Sequence, residues 1–125
     1  MKLSVTGVMF QNFIGVPLSG ADICGFTGDT TAELCARWHV IGAFYPFSRN
    51  HNTIGANSQE PYVFNTTYFE GSPLSYTSIM RNAMRVKYSL INYYYTEMNL
   101  IHETGGAFYK PMFFEFPDDD MAYKN

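Results

Sequence analysis

The sequence predicts an α/β fold built from parallel βαβ units, and three observations carry that prediction. Segments of helical periodicity alternate with short apolar runs bounded by Gly or Pro, in the order helix, strand, helix, strand, helix, strand. A polar cluster follows each of the first two apolar runs, and in α/β proteins chemistry gathers where strands end. Hydrophobic residues make up 46 % of the 125 residues and charged residues only 15 %, which excludes disorder. So apolar a chain of this length reads as a buried piece of something larger, or as a domain with an extended interface.

The elements follow in order. Leu3, Val5, Met9 and Phe13 suit one face of a buried N-terminal helix. The same stretch also resembles a short signal peptide, although Gln11 and Asn12 interrupt its apolar run. Residues 14–20, Ile-Gly-Val-Pro-Leu-Ser-Gly, read as a buried strand with Asp22 at its end. Thr30-Thr31-Ala32-Glu33 fits a capping box, and Leu34, Trp38 and Ile41 mark the inward face of the helix it opens. Ala43-Phe44-Tyr45-Pro46-Phe47 reads as a second strand ending in the cluster Ser48-Arg49-Asn50-His51-Asn52.

Residues 52–73 are loop-like and contain the N-glycosylation sequon Asn65-Thr66-Thr67, which has meaning only in a secretory protein. Ser75 starts a long helix, with Ile79, Ala83, Val86, Leu90, Tyr94 and Ile101 down one face and Met80, Met84, Ile91, Tyr95 and Met98 down the next. Gly105-Gly106 stops it. Tyr109 to Phe116 is strand-like, and Pro117-Asp118-Asp119-Asp120 is a turn.

Eight basic against eleven acidic residues give a net charge of −3, so nothing suggests a nucleic-acid partner. No apolar stretch approaches the roughly 20 residues a membrane span needs. Cys24 and Cys35 form no CxxC pair, and His39, His51 and His102 do not stand at zinc-ligand spacing to them. A disulfide in an oxidising compartment and two buried thiols in the cytosol both fit that spacing.

Asp22, at a strand end with no basic neighbour in sequence, needs a partner: a ligand's hydroxyls, a loop cap or an ion pair with Arg49. Arg49-Asn50-His51-Asn52 offers donors for a polyhydroxyl ligand or an anion, or else forms a solvated turn. An aromatic beside Asp22 suits the CH face of a sugar ring. His39 and His102 fall on helices and take no assigned role. Nucleophile-elbow, P-loop and dinucleotide motifs are absent from the sequence.

Gly20-Ala21-Asp22-Ile23-Cys24-Gly25-Phe26, then Arg37-Trp38, then Gly42-Ala43-Phe44-Tyr45-Pro46-Phe47-Ser48-Arg49-Asn50-His51-Asn52, closely resemble glycoside hydrolase family 31, the α-glucosidases. Glu60-Pro61-Tyr62, Ala83 to Ile91 and Lys110 to Pro117 extend the likeness over nearly the whole chain. The Asp-Ile-Cys-Gly-Phe and Arg-Asn-His-Asn forms resemble the maltase, sucrase and lysosomal α-glucosidase branch.

The resemblance implies a (β/α)8 barrel, of which residues 1–108 correspond to about strands 7–8 and helices 7–8. Residues 109–125 would begin the β-sandwich domain behind it. The N-terminal stretch then aligns with a barrel helix, not a signal peptide. Asp22 and His51 match positions that hydrogen-bond the glucose in subsite −1; Phe26 lines that subsite and Arg49 supports its rim. Cys24 and Cys35 match a disulfide of the secreted members, which places the protein in the secretory pathway, lysosome or exterior. Implied partners are glucose or an α-glucoside oligosaccharide, and the N-terminal part of the same enzyme. No cofactor or metal is implied.

Retaining glycosidases use two carboxyl groups roughly 5 Å apart. In this family they lie in Trp-x-Asp-Met-Asn-Glu and His-Trp-x-Gly-Asp segments, and neither segment occurs in these 125 residues. The implied function is therefore a part of a retaining α-glucosidase that holds sugar and carries no catalytic carboxylate. A non-catalytic carbohydrate-binding or interaction remnant is the alternative. The family pattern expects Pro where Asn92 stands and Arg where Lys110 stands, and residues 67–73 vary locally. A quarter barrel leaves strand edges open and helix faces uncovered, so the isolated chain is expected to be unstable or to aggregate.

Overall fold

The structure, a computed structural model, describes residues 1–124. In chain order it contains α1 (Lys2–Phe13), α2 (Ala32–Gly42), α3 (Tyr76–Ser89), α4 (Ile91–Thr104) and the single turn α5 (Met112–Glu115). Short 3-10 turns lie at Pro61–Phe64 and Asp120–Tyr123.

The helix signals in the sequence lie close to the ends they set. Thr31 caps α2, its Oγ1 accepting from the Leu34 amide at 3.2 Å. Glu33 does not close a capping box; it pairs with Arg37 one turn on, at 2.7 Å. Ser75 caps α3 by accepting from the Ser78 amide. Gly105, with φ of 76°, ends α4 in a backbone region that L side chains rarely adopt. The expected single helix from Ser75 is instead two, jointed at Leu90, whose amide bonds back three residues to the Lys87 carbonyl. Apolar spacing continues through the joint, so periodicity alone does not reveal it. Asn92 stands at the second position of α4, where the Pro of the family pattern would be tolerated.

The expected strands at 14–20, 43–47 and 109–116 are not strands. Ile14, Gly15 and Val16 terminate α1: the Gly15 and Val16 amides bond to Asn12 and Gln11 carbonyls, and Gly15 takes φ of 86°. Ala43 to Phe47 make turns off the end of α2, and Pro46 has no amide to donate. Pro111 precedes the helical turn α5, across which Lys110 pairs with Glu115. Among the described residues, strand pairing is confined to a parallel bridge, Ile23 with Asn50, and an antiparallel one, Tyr68 with Ser75.

Helix α2 packs on α3, and the Pro61–Phe64 turn packs on α3 as well. Their shared core is Ile23, Cys24, Cys35, Ala36 and Met80, with Trp38, Phe64, Tyr76 and Ile79 partly buried against it. The buried stripe of α2 is Cys35, Ala36, His39 and Gly42, not the expected Leu34–Trp38–Ile41 face. Gly42 is required there, because a Cβ would lie 2.6 Å from the Ile23 side chain. The expected broad burial of the long helix reduces to Met80, Ala83 and Tyr94.

Helix α1 buries Val8 and Asn12 and leaves Leu3 and Phe13 exposed, so its expected inward face is also turned. Asn12 ties the chain's two ends together. Its Oδ1 accepts from the Phe108 and Tyr109 amides at 3.0 and 2.9 Å, and its Nδ2 donates to the Val8 carbonyl and Ser19 Oγ. Tyr45, fully buried, stacks edge-on against Tyr109 and hydrogen-bonds Ser4. Lys87 donates to the Tyr45 carbonyl at 2.7 Å over the Tyr94 ring, and burial holds its ammonium pKa below the usual value. Large apolar side chains of α2 to α4 remain open, among them Val40, Val86, Ile91 and Leu100.

Losing a buried acceptor costs about 1–3 kcal/mol per stranded donor. In the Asn12→Ala variant, hydrogen exchange at the Phe108 and Tyr109 amides is therefore expected to accelerate about tenfold or more. Unchanged protection at both amides would remove Asn12 as the tie.

Candidate functional site

The site begins with a crossing of two backbones. Ser19 to Ile23 runs alongside Phe47 to Asn50, held by Phe47 amide to Ser19 carbonyl at 3.0 Å and Ile23 amide to Arg49 carbonyl at 2.8 Å. The approach is so close that a Cβ at Gly20 would lie 1.8 Å from the Phe47 carbonyl oxygen. Side chains alternate along extended backbone, so Ile23 enters the core while its neighbour Asp22 faces the other way. Arg49, the neighbour of Asn50, meets Asp22 there.

Arg49 donates from both Nε and Nη2 to the same carboxylate oxygen, Oδ1 of Asp22, at 2.9 and 2.7 Å. Asp22 Oδ2 accepts no hydrogen bond among the described residues, which leaves it open to a hydroxyl donor. The sequence left ligand hydroxyls and an Arg49 ion pair open as partners of Asp22. The structure forms the ion pair and leaves half the carboxylate over. The Arg49 guanidinium also lies 5.9 Å from the centre of the Phe47 ring.

Past Asp22 the chain turns sharply. The Gly25 amide bonds back to the Asp22 carbonyl, and Cys24 and Gly25 take φ of 78° and 94°. A left-handed non-glycine residue is uncommon, and Cys24 is held in it by its disulfide to Cys35 on α2. This turn brings Phe26 beside His51, with ring centres 5.6 Å apart and planes tilted by 31°. The Thr53 amide donates to the Phe26 carbonyl. All four expected substrate residues thus cluster at the end of the parallel crossing, in two touching pairs. Phe26 and His51 are exposed, so the site is an open rim and not a closed pocket.

Behind the rim lies a support that sequence reasoning missed. Gln59, 3 % exposed, exchanges hydrogen bonds with Asn50: Gln59 Nε2 to Asn50 Oδ1, and Asn50 Nδ2 to the Gln59 carbonyl, both at 2.9 Å. Gln59 also donates toward the Ile23 and Gly25 carbonyls. No local signal marks this residue; its role exists only once residues 23, 50 and 59 are together.

The sequence set His39 apart from the cysteines, yet the fold brings it against both. Its Nδ1 donates to the Cys35 carbonyl at 2.8 Å and lies 3.7 Å from each sulfur. The two sulfurs are bonded to each other, so the trio offers no thiolate to a metal. Burial pushes the imidazole pKa down, partly offset by the bond to the Cys35 carbonyl. A concavity of about 700 Å³ lies elsewhere, on an apolar groove lined by Ala36, Val40, Phe44, Phe69, Tyr76 and Ile79.

A profile of the glycosyl hydrolases family 31 TIM-barrel domain matches residues 1–97. The chain belongs to that family. Over 123 residues this family 31 chain is 47 % identical to lysosomal alpha-glucosidase of Mus musculus, covering 98 % of the chain and 12 % of the relative. Lysosomal acid alpha-glucosidase of Tetrahymena pyriformis is 47 % identical over 127 residues, covering 100 % and 13 %. Among solved structures, the glucosidase II alpha subunit bound to Glc1Man2 superposes with a TM-score of 0.83 at 37 % identity, covering 97 % of this chain and 12 % of that one. The chain thus spans about an eighth of the length of these relatives. Its barrel segment is the helical shell and crossing just described. Among the described residues, no helix is long and apolar enough to cross a membrane.

Two measurements check the disulfide and its neighbour. Cys35→Ser is expected to destabilise the chain by about 3 kcal/mol, as for loops of this size, and native protein should titrate with no free thiol from this pair. Lowering the His39 pKa means the unfolded chain binds the extra proton more readily. The neutral-His contribution to stability is therefore full above about pH 6.5 and is lost as pH falls toward the lowered folded value. In His39→Gln, the thermal midpoint should depend less on pH across that acid window; an unchanged slope would exclude His39 as its source.

Proposed function

We propose that this chain is part of a retaining α-glucosidase that hydrolyses terminal α-linked glucose, and that it supplies part of subsite −1. The observation that carries this reading is the half-satisfied Asp22. Arg49 occupies one carboxylate oxygen, while the other accepts no hydrogen bond among the described residues; Phe26 and His51, four and two residues along from Asp22 and Arg49, form the second pair. A carboxylate held this way accepts a sugar hydroxyl strongly, because a hydrogen bond to an ionised acceptor exceeds a neutral one. His51 adds a donor or acceptor for a second hydroxyl. The exposed Phe26 ring offers a wall for the CH face of the pyranose.

In this reading the bond-breaking groups belong to the rest of the enzyme. One carboxylate attacks the anomeric carbon to form a glycosyl-enzyme. The other protonates the leaving oxygen and then activates water. Asp22 is read as a binding group, matching a family position that hydrogen-bonds glucose, with Arg49 already seated on one of its oxygens. Residues 1–108 are assigned to the barrel and 109–125 to the start of a β-sandwich domain. The open apolar faces of α2 to α4 support a chain that folds against further barrel, and argue against a self-sufficient binding module. The names of the lysosomal relatives and the Cys24–Cys35 bond support a secretory-pathway or lysosomal location.

In the full-length enzyme, Asp22→Asn and His51→Ala are each expected to lower kcat/KM on a p-nitrophenyl α-glucoside by about tenfold to a hundredfold, from lost hydrogen bonds of about 1.5–3 kcal/mol. Wild-type kinetics in both variants would remove the rim from the sugar site. The chain expressed by itself should release no p-nitrophenol, and any turnover by it would contradict the division of labour.

A further inference from the structure

We propose that Asn65 is N-glycosylated, on the exposed turn ahead of α3. Asn65-Thr66-Thr67 is the one N-x-Ser/Thr sequence in the chain. A sequon functions only if its Asn can carry a bulky, water-seeking group, which demands a surface turn. The fold meets that demand.

Asn65 follows the Pro61–Phe64 turn with φ of −67° and ψ of −21°, the first inner position of a type I turn. The Thr67 amide and hydroxyl both donate to the Phe64 carbonyl, at 3.2 and 2.9 Å, closing that turn. Asn65, Thr66 and Thr67 are all exposed, and the Asn65 side chain makes no hydrogen bond among the described residues. The segment is nonetheless anchored: the Tyr76 amide donates to the Thr67 carbonyl at 3.0 Å, and Tyr68 bridges Ser75. The amide is therefore presented outward on a fixed support.

The surroundings give the glycan something to do. Tyr62, Tyr68 and Phe69 are 67 %, 59 % and 42 % exposed within a few residues of Asn65. Exposed rings this near in sequence suit the CH faces of a saccharide. In the transfer step, the C1–O bond of a lipid-diphosphate-linked oligosaccharide breaks and a C1–N bond to Asn65 Nδ2 forms. The lipid diphosphate leaves, and the secretory transferase's base takes the amide proton.

This proposal rests on the secretory location read above, and one peptide map separates the two. The full-length protein is produced in a eukaryotic secretory host and treated with peptide N-glycosidase in heavy-oxygen water. Its peptides are then mapped without reduction. The expected result is Asp labelled with heavy oxygen at position 65, a bonded Cys24–Cys35 pair, loss of the label in Thr67→Ala and its retention in Thr67→Ser. A bonded cysteine pair with unmodified Asn65 overturns the glycosylation alone. Free thiols with unmodified Asn65 overturn the location and the glycosylation together.

Discussion

The close parallel passage of Ser19–Ile23 against Phe47–Asn50 is the contact on which the rest of the molecule depends. Only two backbone hydrogen bonds and one bridge define it, yet it decides which side chains face inward and which face the rim. Gly20 admits the Phe47 carbonyl, and Gly42 admits Ile23, so the crossing is sterically keyed at both ends. Once Ile23 is seated under α2, alternation along the backbone places Asp22 on the opposite side. Arg49 arrives there by the same rule from the partner segment.

Around this crossing the chain is fastened by side chains and not by sheet. The Cys24–Cys35 bond ties the rim turn to α2, holding the left-handed Cys24 that redirects the backbone toward Phe26. The Gln59–Asn50 exchange fastens it from behind. Asn12 joins α1 to residues 108 and 109, nearly the whole length of the chain away. These links are polar or covalent because the apolar faces are only partly used. Met80, Ile23 and Tyr45 are fully covered, whereas much of the apolar surface of α2 to α4 is not. That imbalance suits a segment whose hydrophobic surface is completed by neighbouring parts of a barrel, as expected where a chain spans about an eighth of its relatives.

The rim's chemistry follows from charge held in place. A free carboxylate would sample many rotamers and attract water equally at both oxygens. With Arg49 on Oδ1, Asp22 is left with one unengaged acceptor among the described residues. In the proposed function such a device orients a polyhydroxyl ligand. The bond-breaking carboxylates of the proposed enzyme belong to its remaining parts, outside these 125 residues.

By itself the sequence determined what is settled within a turn of backbone: the Ser75 cap, the Gly105 stop, the approximate course of the helices and the segments on which Asp22, Phe26, Arg49 and His51 stand. Its motifs were also specific enough to identify the family. Tertiary structure alone decided which faces are buried, turning α2 onto Cys35, His39 and Gly42 and α1 onto Val8 and Asn12. It alone set Asp22 against Arg49 across 27 residues and Gln59 behind Asn50. It also left the three strand-like runs without an extended ladder: the first two meet only at the Ser19–Phe47 hydrogen bond, and the third becomes a helical turn. The reason is physical: caps and periodicity act between residues a few positions apart, whereas strands, rims and buried amides exist only when distant segments meet, and an apolar run without partners on both sides has no ladder to join.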